Sequence, residues 1–129
     1  MRQKVKPERI GILLLVVANL IFTFFFNEST YDDGDSILHY LQSKNSFQDP
    51  TLFLNHWGKP LFILLSSPFT QLRFTGMKIF NSLCVIAAVY FAWCIARQRL
   101  FKHAWFIWAI GLAAPHVFLS QSSGLTEPL

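Results

Sequence analysis

Three apolar blocks dominate the pattern along this chain, and each has basic residues at one end. The first, Ile10–Phe26 (IGILLLVVANLIFTFFF), follows Arg9. At 1.5 Å per residue it is a little short for a hydrocarbon layer of about 30 Å, so flanking residues must complete the crossing. It exceeds the apolar core of a signal peptide, and it ends in Phe24-Phe25-Phe26-Asn27 with no small-x-small cleavage pattern. The second block, Met77–Ala96, and the third, Ala104–Leu119, are separated by the short basic stretch Arg97–His103. The pattern predicts three membrane-spanning helices over about 10–26, 77–96 and 104–119.

Residues 27–75 then form one long loop on the outer side. Short basic loops stay cytoplasmic, which places the N-terminus and residues 97–103 inside, with an even number of crossings between them. Within the loop, Ile37, Leu38 and Leu41 predict one apolar face of a short amphipathic helix over Ser36–Ser43, with Asp35 as its N-cap. Leu61–Phe69 is too short to span and contains Pro68, expected to interrupt it; an interfacial helix is the better assignment. The segment QDPTLFLNHWGKP carries the Pro and Gly punctuation of a structured loop. In the second block Cys84, Ala88, Ala92 and Ala96 recur every four residues, a stripe of small side chains that lets another helix approach closely.

Composition sharpens the picture. The chain has 129 residues, 53% of them hydrophobic and only 14% charged, too few polar residues to cover a soluble surface. The formal net charge of +4 comes from clusters at Arg2, Lys4, Lys6 and Arg9 and at Arg97, Arg99 and Lys102. Both abut apolar blocks, so membrane topology explains them and nucleic-acid binding does not. Cys84 and Cys94 fall in one predicted helix, roughly 15 Å apart along its axis, too far for a disulfide.

The candidate chemistry lies mostly in the outer loop. Asp32, Asp33 and Asp35 crowd into four positions just after the first block. Carboxylates there could act as a general base or hold a hard divalent cation, and could equally be ordinary solvated loop residues. His39 stands four residues after Asp35, so the two would share a helix face; the candidate metal ligands are Asp33 and His39. In NHWGKP, His56 could serve as base or ligand, Trp57 could stack on a sugar ring and Lys59 could meet a phosphate; an interfacial aromatic beside a snorkelling lysine is the plainer alternative. Glu127 follows the third block, and His116 sits within it.

The order of these features resembles the start of GT-C membrane glycosyltransferases, a superfamily that includes protein O-mannosyltransferases and the aminoarabinose transferase of lipid A. The matching elements are a basic N-terminus, one helix, the acidic DDGD, a short helix, H-W-G-K-P-L, a span opening FTGMKIFN, a basic loop, another span and TEPL. The family's acidic pair is Asp-Glu where this chain has Asp-Asp. Its K-P-P-L segment is matched by Lys59-Pro60-Leu61 without the second proline, and its later acidic residue by Glu127. The resemblance implies transfer of a sugar from a polyprenyl-phosphate donor to an acceptor hydroxyl at the outer face of a bacterial inner membrane. Asp35, with Asp33 and Asp32 behind it, would be the base. His56, Trp57, Lys59, Arg73 and Glu127 would bind substrate, and leaving phosphate charge would be met by Lys59, Arg73 or a divalent metal ion. Family members have more spans, so the resemblance implies that residues 1–129 are the N-terminal part of a larger membrane domain. The competing expectation is a small three-span scaffold or accessory subunit without catalysis.

Overall fold

A computed structural model describes residues 7–25 and 34–125, and the described residues are helical with no strand. Helix α1 (Pro7–Phe25) begins with proline at its first position, where no amide hydrogen is needed, and carries Glu8 at its positive end. Helices α2 (Asp35–Asn45) and α3 (Pro60–Thr70) flank a short 3₁₀ turn, Pro50–Leu54. Helix α4 (Arg73–Gln98) is the longest, about 39 Å. Two shorter helices follow, α5 (Phe106–Ala113) and α6 (Pro115–Ser122).

By length and composition α1 and α4 are able to cross a membrane. The expected third span over 104–119 is not one helix. It breaks at Ala114, whose extended backbone (φ −67°, ψ 126°) is the conformation that a following proline imposes. Pro115 then starts α6. Two candidate spans and a broken pair therefore replace the three continuous spans. Pro68, in contrast, does not end α3, which runs on to Thr70. It removes the bond that an N–H at this position would donate to the Leu64 carbonyl, and only two residues of the helix follow it.

Helix α4 is the axis of the molecule. Its middle packs Val85 and Val89 against Trp108 and Leu112, with Ile12, Leu15 and Val16 of α1 closing the cluster. Its first turns pack Met77 and Phe80 against Phe62 and Ile63 of α3. Gly76 permits the α3–α4 crossing, because a Cβ there would collide with the Phe69 carbonyl. At the far end α4 closes with a Schellman motif: Phe101 N–H donates to the Ala96 carbonyl (3.1 Å) and Leu100 N–H to that of Arg97 (3.1 Å). Leu100 takes the left-handed position (φ 59°) where glycine is usual.

The orientation of α2 reverses the expectation. Ile37, Leu38 and Leu41 are exposed, while Ser36, His39, Gln42 and Ser43 are buried. Gly34, not Asp35, occupies the N-cap, and Asp35 is the first helical residue. The buried face meets α3 through paired hydroxyls, Ser43–Ser66 at 2.7 Å and Ser46–Ser67 at 2.7 Å. Among the described residues fifteen polar side chains are buried against ten apolar ones, while many large apolar side chains stay exposed. The small-residue stripe is divided: Ala96 is buried and Cys84 half-buried, whereas Ala88 and Ala92 line an open apolar groove between α4, α5 and α6.

Candidate functional site

The polar residues converge where the first turn of α2, the start of α4 and the segment after α6 meet. Gly124 is the hinge of this junction. Its N–H donates to Ser36 Oγ (3.0 Å), and its carbonyl lies 3.1 Å from His39 Nδ1. Ser36 and His39 are three residues apart on α2, so one helical face grips both polar groups of one peptide residue. Only glycine fits there, because a Cβ at position 124 would strike the Ser36 backbone. The other ring nitrogen of His39, Nε2, faces the Trp57 carbonyl at 3.3 Å. Both partners are acceptors, so the ring donates to one of them when neutral and to both as imidazolium.

From α4, Asn81 reaches the same segment. Its Nδ2 donates toward the carbonyls of Ser120 (3.0 Å), Ser123 (2.8 Å) and Leu125 (3.3 Å), while Oδ1 is buried without a partner. One amide thus gathers the main chain at the end of α6. Lys78, one turn earlier on α4, is buried to 8% exposure, with its ammonium 5.9 Å from the Phe74 ring centroid. A second network joins α1 to the break before α6. Asn19 donates to the Leu112 carbonyl (3.2 Å), Gln121 donates to Asn19 Oδ1 (3.0 Å), and Thr23 faces Gln121 Oε1 (3.5 Å).

The residues named from sequence are distributed unevenly around this junction. Asp35 is exposed at the start of α2 beside Ser36, one turn before buried His39. Asp32, Asp33 and Glu127 lie outside the described residues. Both His39 nitrogens face carbonyl oxygens, so this conformation presents neither to a cation; among the described residues no cluster of three or more His, Cys, Asp or Glu side chains could hold a metal. His56 and Trp57 are exposed, and Trp57 joins the junction through its main chain only. Lys59 caps α3 with φ 55°, and Arg73 opens α4 with φ 64°. They stand at opposite ends of α3, roughly 16 Å apart along its axis, so the fold does not gather them into one phosphate clamp. His116 is exposed beside the α4–α6 groove.

Sequence reasoning missed Ser36, Lys78, Asn81 and Gly124. A lysine and an asparagine inside an otherwise apolar block carried a usable signal, since such residues are expensive in a membrane segment. The glycine and the serine carried none, because their role depends on which segments meet. Compared with protein-family models, curated proteins and solved structures, the chain matches none.

Proposed function

We propose that this chain is part of an integral-membrane glycosyltransferase that moves a sugar from a polyprenyl-phosphate donor to an acceptor hydroxyl at the outer membrane face. The observation that carries the reading is the clamp of Ser36 and His39 on Gly124. It joins the helix that begins at Asp35 to the segment after α6 at one buried polar junction. Asp35, exposed at the first turn of α2, is the base in this reading. Membrane placement is supported by the two spans of sufficient length and by the reversed polarity of α2, whose serines face inward and whose leucines face out. Lipid as solvent favours that arrangement, because small polar residues then bind helices together while apolar side chains meet acyl chains.

The test is Asp35→Asn in the full-length protein. Asp35 is not the N-cap, so its loss removes only a favourable charge at a helix start, about 0.3–1 kcal/mol. Removing a general base lowers turnover about 10²–10⁴-fold. The expected outcome is normal membrane abundance with sugar transfer nearly abolished. Wild-type transfer by this variant, and by Asp33→Asn and Asp32→Asn, would leave the scaffold alternative standing.

A further inference from the structure

We infer that the end of the bundle opposite Gly124 is a binding site for an anionic phospholipid, with its phosphate in a basic pocket and an acyl chain along α1. The pocket, about 150 Å³, lies between the start of α1 and the end of α4. Arg9, Arg97 and Lys102 line it with Glu8, three cations against one carboxylate, and Trp93 and Trp105 complete the wall. The Arg97 guanidinium stacks 4.9 Å from the Trp93 ring centroid. Stacking fixes its plane and leaves its N–H edges able to donate to phosphate oxygens. Basic pockets between helices at a membrane surface, edged by tryptophan, suit lipid phosphates.

What selects a lipid over a free anion is the space next door. Glu8, Ile12 and Trp105 also line a second cavity of about 450 Å³, almost wholly apolar, beside Gly11 and Leu15. Leu15 in turn lines a third cavity of about 360 Å³, with Ala18, Phe22 and Phe118. The three adjoin along one side of α1 from Glu8 to Phe22, about 21 Å. One leaflet's hydrocarbon is about 15 Å deep, so the groove has the reach of an acyl chain below its headgroup. Charge at one end and an apolar trough leading from it match an amphiphile with a negative head.

The inference rests on the membrane placement of α1 and α4, and not on sugar transfer. Full-length protein is therefore first checked for recovery in the membrane fraction; recovery as a soluble protein would defeat the membrane reading itself. Purified protein is then titrated with phosphatidylglycerol or phosphatidylcholine in mixed micelles, following lipid-bound states by native mass spectrometry. Phosphatidylglycerol should bind in preference to phosphatidylcholine. Each cation near such a headgroup contributes about five-fold in affinity, so Arg97→Gln with Lys102→Gln should weaken binding about 25-fold. Because Arg97 also packs on Trp93, a second variant guards against simple misfolding. Gly11 lines the trough and a Cβ there would meet nothing within 4 Å, so Gly11→Leu places its side chain where the acyl chain would lie. This variant should weaken binding of both lipids while the lipid-free protein unfolds at no lower a temperature than wild type. Equal binding of the two lipids, undiminished lipid binding by Gly11→Leu, or competition by inorganic phosphate at concentrations matching the lipid would overturn the assignment.

Discussion

At the end of the bundle where α2 begins, polar side chains are enclosed and close on main-chain groups: Ser36 and His39 on Gly124, and Asn81 on three carbonyls. At the other end, where α4 finishes, they are cationic and open, with Arg9, Arg97 and Lys102 around a pocket edged by tryptophan. The same helix, α4, supplies residues to both. The difference shows two uses of polarity on one apolar scaffold. Enclosed neutral donors fix which segments meet, since an unpaired buried carbonyl costs about 1–3 kcal/mol. Open charges fix little within the chain and leave their interaction energy for something outside it.

That comparison breaks most severely at Asn81. Asn81→Ala should destabilise the protein by roughly 3 kcal/mol or more, because several carbonyls lose their shared donor at once. Asn81→Asp should be worse, since it turns a carboxylate toward those oxygens. Thermal unfolding in detergent reads both, and an Asn81→Asp variant as stable as wild type would mean that the amide does not organise this end. A smaller effect is expected in the serine seam between α2 and α3. Ser43→Ala or Ser66→Ala alone should cost about 1 kcal/mol, and the double variant less than the sum, because removing both partners leaves nothing unsatisfied. Strict additivity would show that the two hydroxyls do not share a bond. The smallest effect, and a gain, belongs to the open end. Leu100→Gly should stabilise by about 0.4–1 kcal/mol by relieving the left-handed backbone that closes α4. A loss there would indicate that the exposed leucine side chain itself makes a stabilising contact.

The long helices were legible in the sequence. The apolar run 10–26 corresponds to Pro7–Phe25 and the run 77–96 to Arg73–Gln98, with the ends displaced by a few residues. Such runs need no partner to identify them. The helix over 36–43 was equally visible, but the face it buries was not. The spacing of Ile37, Leu38 and Leu41 identifies a face without saying whether it turns inward, which depends on whether the surroundings are water or hydrocarbon. Pro115 was in plain view and still read as part of a span, because hydropathy averages over the residue that bends the chain. The clamp of α2 on Gly124 was hidden, since Ser36 and Gly124 are 88 positions apart and neither is chemically distinctive alone.

The break at Ala114 has a consequence for the order in which the molecule can be made. Opening a helix there strips the Leu112 carbonyl of its usual donor four residues on, and the replacement is Asn19 of α1. Gln121 of α6 completes the bond by donating back to the Asn19 side chain. Synthesis proceeds from the N-terminus, so α1 has emerged long before residue 112 is joined to the chain. Helices α5 and α6 are therefore not an autonomous unit that forms first and then seeks neighbours. They settle against a docking point that was made first, and their bend is completed only on arrival.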